Sequence, residues 1–216
     1  MDGSTKVLIV LAHENEYSHL LSSIKATALI EKKYYAFDQG WIVISGVGTY
    51  SAQMAVSQYG GKCDEIWNIG FAGYLHGERA IGEILSIEQV GKYVPLDEDE
   101  LDKESKIWME KALPSLEIEG KGGRLISSDF PIHTERHRSR LADKWDGVDM
   151  EGYGVAFSAK WLGKKCRIWK IISDFASPGG RELIKKNRVL LSQKIADLVI
   201  HTVYEKNHES RSHSIL

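Results

Sequence analysis

The stretch from Trp145 to Ser177 constrains the fold more than any other part of the chain. After Met150-Glu151 its apolar residues recur three and four positions apart, which is typical of an amphipathic helix. Gly163 with the lysines beside it is a typical helix exit. The mostly apolar run from Cys166 to Ile172 then indicates a buried strand. The segment therefore predicts a helix–strand unit of an α/β protein.

Two carboxylates flank this predicted unit. Glu151 precedes the helix, and Asp174 follows the strand directly after Ser173. Because the helix and the strand run in opposite directions, the two carboxylates reach the same edge of the sheet. Open α/β sheets bind ligands at the edge formed by the C-terminal ends of their strands. We therefore expect Glu151 and Asp174 to share one site.

The same alternation of strands and helices extends over most of the chain. Residues 181–206 predict a long amphipathic helix, and the ten residues after it are polar. The absence of linkers and repeats favours one α/β domain over residues 1–206, with a central mixed β-sheet flanked by helices and a frayed tail at 207–216. The further apolar runs that predict strands lie at 6–11, 41–45, 64–69, 81–86 and 124–129.

Composition excludes several classes of function. A formal net charge of -2 gives no general attraction for polyanions, so nucleic acid is not expected as a partner. No apolar run approaches the roughly 20 residues of a membrane span, and the N-terminal residues do not resemble a signal peptide. Cys63 and Cys166 are far apart in sequence, which favours free buried thiols. These features predict a cytoplasmic protein without a membrane segment.

Motifs for metals and cofactors are weak. His133 and His137 share a face of a predicted helix, but two local ligands do not make a metal site. The acidic residues 97–100 are expected to form a solvated helix start. Gly46 and Gly48 follow a strand, yet Ser51 stands where a dinucleotide fingerprint needs its third glycine. We therefore expect neither a metal nor a cofactor.

Several segments at predicted strand ends match one family in order. They are Glu16, Ser45-Gly46-Val47-Gly48, Asn68-Ile69-Gly70-Phe71-Ala72-Gly73, Ser127-Ser128-Asp129-Phe130, Val148-Asp149-Met150-Glu151 and Ser173-Asp174. In this order they resemble the nucleoside phosphorylase/nucleosidase superfamily, and most closely the methylthioadenosine/S-adenosylhomocysteine nucleosidases and the futalosine hydrolases. The resemblance implies a single-domain phosphorylase/hydrolase-like fold and one pocket for a purine nucleoside.

The resemblance also implies a role for each of three carboxylates. Asp174, supported by Ser173, would donate a proton or hydrogen bond to purine N7. Glu16 would act as the general base on the attacking water, and Glu151 would accept hydrogen bonds from the ribose hydroxyls. The remaining residues expected to contact substrate are Val47, Phe71, Ala72, Gly73, Phe130, Ile132, Asp149, Met150 and Ser173.

Hydrolysis is favoured over phosphorolysis. The loop from Ala12 to Glu16 is acidic and would repel phosphate, and Trp67 and Asn68 stand where the phosphorylases carry an arginine. Phe71 and Lys170 depart from the serine and arginine that are usual in the nucleosidases. The interpretation is a nucleosidase for a 5′-substituted adenine nucleoside of the methylthioadenosine or S-adenosylhomocysteine type, forming a homodimer as its relatives do. The alternatives are a hydrolase of futalosine or 6-amino-6-deoxyfutalosine, as in menaquinone biosynthesis, and a non-catalytic nucleoside-binding module.

Overall fold

A computed structural model of the chain describes residues 5–95 and 102–205. The strands are β1 (Val7–Leu11), β2 (Thr27–Ile30), β3 (Tyr34–Phe37), β4 (Gly40–Ile44), β5 (Glu65–Tyr74), β6 (Ile84–Lys92), β7 (Leu116–Glu117), β8 (Gly123–Ser127), β9 (Gly147–Asp149) and β10 (Lys165–Asp174). The helices are α1 (Glu14–Tyr17), α2 (Leu20–Ser23), α3 (Thr49–Tyr59), α4 (Lys103–Ala112), α5 (Glu135–Ala142), α6 (Gly152–Trp161) and α7 (Gly180–Ile200).

The strands form one mixed sheet, and part of it closes on itself. Neighbouring strands follow the order β10–β6–β8–β9–β5–β1–β4–β3–β2, and β10 also pairs with β5. Strands β1, β4, β5 and β10 run parallel, whereas β9 pairs antiparallel with β5 and β6 antiparallel with β10. Five strands thus form a closed ring, and β1, β4, β3 and β2 extend it as an open wing. The mixed sheet was predicted, but its closure was not.

Helices cover both faces of this sheet. Alternate residues of β1 enter different cores, since Leu8 and Val10 pack with α3 and α6 while Ile9 packs with α2 and α7. All three side chains are fully buried. A strand buried on both faces reads as a continuous apolar run, which is why the sequence located β1 correctly.

One central strand runs further than predicted. Strand β5 continues through the glycine-rich stretch 70–73, whereas the sequence predicted the strand over 64–69 with these residues at its end. The stretch remains a strand because it stays paired: Gly70 lies opposite Lys170, and Ala72 lies opposite Ile172 of β10. Residues expected beyond the strand end are therefore held within a hydrogen-bonded ladder.

Other boundaries also differ from the sequence expectations. The segment after β1 forms two short helices, α1 and α2, which are separated at Ser18 and His19, and both of these residues hydrogen-bond Ser192 of α7. Strand β6 covers residues 84–92, whereas the apolar run predicted a strand over 81–86.

The C-terminal helix is shorter than predicted. Helix α7 ends at Ile200 and a π-helical turn, His201–Glu205, follows it. The acidic run at 97–100 and the tail at 207–216 lie outside the described residues. Within 5–95 and 102–205, no helix combines the length and the apolar character needed to cross a bilayer.

Candidate active site

A cavity of about 770 Å³ opens beside the ends of β1, β4, β8, β9 and β10 and the last residues of β5. Its size is typical of small-molecule sites. The sequence-derived residues that line it are Glu16, Val47, Phe71, Ala72, Gly73, Phe130, Ile132, Asp149, Met150, Glu151, Ser173 and Asp174. The structure therefore brings all twelve to one cavity, and their individual roles remain predictions.

Glu16 is held by three backbone donors. Its Oε2 accepts hydrogen bonds from the N–H of Ala12 at 2.6 Å and of His13 at 3.1 Å, while Oε1 accepts from the N–H of Phe71 at 3.1 Å. The bond from His13 belongs to the capping box of α1. A carboxylate offers about four lone-pair sites, so Oε1 keeps one for a water in the cavity.

Gly70 makes room for this carboxylate. A Cβ atom at position 70 would lie 2.7 Å from Glu16 Oε1, closer than carbon and oxygen approach without bonding. The glycine is therefore required by the close approach of α1 to β5. It is the local reason why Glu16 can lie against the strand that carries Phe71, Ala72 and Gly73.

Glu151 lies at the start of α6 and accepts a hydrogen bond from the N–H of Gly48 at 2.9 Å. Only 6% of Glu151 is exposed. Burial above all, together with the negative charges of Asp149 and Glu16, raises the pKa of this carboxyl to about 7, against the lowering influence of Lys170 and the Gly48 N–H. Near neutral pH, Glu151 therefore exchanges between its acid and its carboxylate.

Asp149 lines the cavity, but its carboxylate is bound within the protein. Oδ1 accepts from Ser127 Oγ at 2.5 Å, and Oδ2 accepts from Lys170 Nζ at 2.7 Å and from the Gly152 N–H at 2.8 Å. We expected Asp149 to contact substrate. That contact stays a prediction, and these bonds also place Asp149 in support of its neighbour Glu151.

Asp174 is fixed from two sides at the end of β10. Ser173 Oγ donates to Oδ2 at 2.8 Å, and the N–H of Ala176 donates to Oδ1 at 2.8 Å. Gly73 and Gly180 pack against this carboxyl, where a Cβ at either position would lie 3.0 or 3.1 Å from Oδ1. Asp174 is partly exposed, so it can reach a ligand in the cavity.

The remaining predicted residues form apolar walls. Phe130 lines the cavity from the loop after β8 and contacts Tyr93 edge-on, with ring centroids 5.8 Å apart. Met150 lies next to Glu151 and brings a polarisable thioether to the same side. An apolar cavity with a few convergent carboxylates suits a nucleoside, whose base and sugar carry both kinds of surface.

The phosphorylase superfamily model matches residues 6–203, nearly the whole chain. The chain belongs to the phosphorylase superfamily. The search of curated proteins gave no significant match.

Solved structures share the fold of this superfamily member at low sequence identity. S-adenosylhomocysteine nucleosidase from Streptococcus pyogenes, with 5-methylthiotubericidin, is 20% identical and has a TM-score of 0.76 over 92% of this chain and 95% of that one. A Helicobacter pylori MTAN variant with 5′-methylthioadenosine in the active site is 18% identical, with a TM-score of 0.73 over 89% and 94%. A futalosine hydrolase variant from the same species is 18% identical, with a TM-score of 0.73 over 93% and 99%.

Sequence reasoning missed one side of the cavity in this superfamily member. Residues 177–182 and Ile184, at the start of α7, line it together with His13, Asn15 and His133. Arg181 and Glu182 bring charged side chains to this rim. Glycine and proline at 178–180 signalled only a turn, and nothing in the local pattern showed that the turn faces the cavity.

Among residues 5–95 and 102–205, no group of three or more His, Cys, Asp or Glu side chains is placed to hold a metal ion. The pair His133 and His137 illustrates this. His133 Nδ1 contacts the carbonyl of Pro131, while His137 Nδ1 contacts Thr134 Oγ1.

Proposed function

We propose that this protein is a purine nucleosidase, an N-glycosyl hydrolase that cleaves a 5′-substituted adenine nucleoside into the free base and the ribosyl product. The observation that carries the proposal is the meeting of Glu16, Glu151 and Asp174 in one apolar cavity. Family membership and the nucleosidases among the similar structures support it. The nucleosides of the methylthioadenosine and S-adenosylhomocysteine type are the substrates we place first.

The three carboxylates match the charges that develop during hydrolysis. A bond forms between a water oxygen and C1′ while the bond between C1′ and N9 breaks, and its electron pair passes to the purine. Glu16 takes the proton of the water, and Asp174 supplies the proton or hydrogen bond at N7 that lets the base leave. Glu151 binds the 2′- and 3′-hydroxyls, and Met150 packs against the cationic sugar.

Water rather than phosphate is the proposed nucleophile. Glu16 and Glu151 are both buried in the wall where the nucleophile would approach C1′, and they would repel an anion. The buried cation Lys170 is already bound to Asp149.

Release of free base tests the proposal. Methylthioadenosine, S-adenosylhomocysteine, 6-amino-6-deoxyfutalosine and futalosine would be incubated with the protein, with and without phosphate. We expect phosphate-independent release of adenine, and a loss of about 10²- to 10⁴-fold in Asp174→Asn. Asp197→Asn, an exposed residue of α7, is the matched control. Unchanged turnover in Asp174→Asn would refute the assigned acid, and a rate that requires phosphate would make the protein a phosphorylase.

Futalosine or 6-amino-6-deoxyfutalosine, intermediates of menaquinone biosynthesis, is the second candidate substrate. Arg181 on the rim of the cavity favours a substituent that ends in a carboxylate. The fold similarity to a futalosine hydrolase is in agreement with this choice. Faster release of base from either futalosine than from methylthioadenosine would select it. Tight binding without base release from any of the four would instead indicate a nucleoside-binding module.

We also propose that the protein is a homodimer in the cytoplasm. Helices α3 and α6 pack together, and their large apolar side chains Tyr50, Met54 and Trp161 are exposed, which a second copy of the chain would cover. Both cysteines are free and buried, in agreement with a reducing compartment. Light scattering after size exclusion tests the dimer, and cell fractionation tests the location.

A further inference from the structure

Lys170 carries a charge in the interior of the protein. It is 1% exposed and is the largest of the fully buried side chains described. Its Nζ lies 2.7 Å from Asp149 Oδ2. A charge this deeply buried is tolerated only when it is paired and hydrogen-bonded, and removal of either partner leaves the other uncompensated. The pair therefore has a cost that an apolar residue would avoid, which calls for a functional reason.

Asp149 and Ser127 cap the helix that begins after Glu151. The N–H of Gly152 donates to Asp149 Oδ2, and the N–H of Tyr153 donates to Ser127 Oγ, both at 2.8 Å. The residue at the N-cap position normally does this with its own side chain. Here that residue is Glu151, and among the described residues its carboxylate accepts no capping bond. The carboxylate is thereby free to line the cavity and to accept from Gly48.

The charged groups around Glu151 come from several elements. Asp149 of β9 and Glu16 of α1 repel its negative charge, while Lys170 of β10 and the N–H of Gly48 stabilise it. Burial alone would lower the pKa of Lys170, but the attraction of Asp149, Glu151 and Glu16 outweighs burial and raises it. Lys170 therefore remains a cation, and its charge attracts all three carboxylates.

We propose that the buried Lys170–Asp149 pair is a positioning unit: Asp149 caps α6 and so leaves Glu151 free to turn into the cavity, and Lys170 offsets the negative charge of Asp149 so that Glu151 binds the ribose hydroxyls as a carboxylate. The inference rests on the proposed function for the role of Glu151, and on the geometry alone for the electrostatic coupling. Lys170 acts through Asp149 and Glu151 and needs no contact with substrate.

Titration of Glu151 tests the coupling without any substrate. Protein with carboxyl-¹³C glutamate would be followed by NMR from pH 5 to 9, with the Glu151 signal assigned by its loss in Glu151→Gln. We expect Lys170→Met to raise the apparent pKa of Glu151 by one unit or more, and Lys170→Arg to leave it within half a unit. Lys165→Met removes a cation from the same strand, where Lys165 pairs with Glu119 on the surface, and should change nothing. An unshifted Glu151 in Lys170→Met overturns the proposal.

A double variant covers the case in which Lys170→Met does not fold. Lys170→Met with Asp149→Asn removes both charges and keeps both shapes, so it leaves no uncompensated buried ion. Because the repulsion by Asp149 disappears together with the attraction of Lys170, we expect the pKa of Glu151 to return to within half a unit of the wild-type value. A pKa in the double variant that stays raised by a unit or more would contradict the proposed charge balance.

Kinetic measurements then distinguish a positioning role of Lys170 from a purely structural one. With methylthioadenosine, kcat/KM of Lys170→Met is expected to fall about tenfold at pH 7 and to recover as the pH rises, because deprotonation of Glu151 restores its acceptors. A loss that is equal at every pH would mean that Lys170 is only structural. Failure of the wild-type protein to release base refutes the proposed function but leaves the NMR result able to decide the coupling.

Discussion

Two walls of the cavity differ in how firmly they are held. The carboxylate wall, made by Glu16, Asp149 and Glu151, is 5–6% exposed and is bound by backbone donors and by Lys170. The α7 wall, residues 177–182 and Ile184, has Gly179 at the N-cap of its helix, with a positive φ of 88° and no side chain of its own to cap the helix. Its Arg181 and Glu182 are exposed.

This difference in how firmly the walls are held indicates that one wall serves the reaction and the other the choice of substrate. Groups that stabilise a transition state work best when they are already fixed, because no reorganisation then accompanies the reaction. Exposed side chains at the start of a surface helix, next to a turn, can vary in sequence without disturbing the core. We infer that the carboxylate wall sets the rate and the α7 wall selects the substrate.

The largest effect is expected from Glu16→Gln, which keeps the shape of the side chain and removes the proposed base. Turnover of methylthioadenosine should fall about 10²- to 10⁴-fold. Glu14→Gln, an exposed position in the same helical turn, is the control and should retain full activity. Comparable activity of the two variants in an adenine-release assay would remove Glu16 from the reaction and break the comparison.

The next largest effect is expected from Gly70→Ala. The new methyl group would displace Glu16 Oε1, from which it would lie 2.7 Å, and a shift of this size can cost roughly 10²-fold in kcat. Gly77→Ala adds the same atom in open space and should be neutral. A Gly70→Ala enzyme with normal kcat would show that the carboxylate wall is less rigid than its hydrogen bonds indicate.

The pH dependence of the free energy of unfolding measures how much the burial of Glu151 destabilises the folded protein. The pKa of Glu151 rises from 4.5 to about 7 on folding, so between these values the folded state binds more protons and the free energy of unfolding falls as the pH rises. Relative to Glu151→Gln, we expect the wild type to lose on the order of 2–3 kcal/mol between pH 4.5 and 8. Urea unfolding of both proteins measures the difference. Parallel pH profiles would contradict it.

The smallest effect is expected at the α7 wall. Arg181→Ala should change kcat for methylthioadenosine less than threefold, because that 5′ substituent carries no charge. For a substrate with a 5′ carboxylate, KM should rise about tenfold through loss of one charge-assisted bond. Lys185→Ala on the same helix does not line the cavity and serves as the control. Equal effects on both substrates would remove Arg181 from selection.

The sequence located residues that belong to strong local patterns. Glu151 and Asp174 flank a helix–strand unit whose apolar periodicity is clear, and both line the cavity as expected. The apolar run of β1 likewise marked a strand buried on both faces. Such features are recoverable because side-chain burial leaves a periodic trace in the sequence.

Other features depend on long-range contacts that leave no such trace. Gly70 resembles a loop residue by composition, and only its pairing with β10 and the approach of Glu16 explain its place in a strand. In the sequence, Lys170 was only a departure from the family pattern within an apolar strand. Its pairing with Asp149 required knowledge of which strands lie together.

The pairing of β5 with β10 joins segments about a hundred positions apart, and it closes the ring that carries Phe71, Ala72, Gly73 and Asp174. Until β10 has been synthesised, β5 and β6 each present an unpaired edge, which can recruit another chain. Contacts so distant in sequence also make folding slow. The binding cavity therefore forms only after the ribosome has released most of the polypeptide. Nascent chains that end before residue 165 are expected to aggregate.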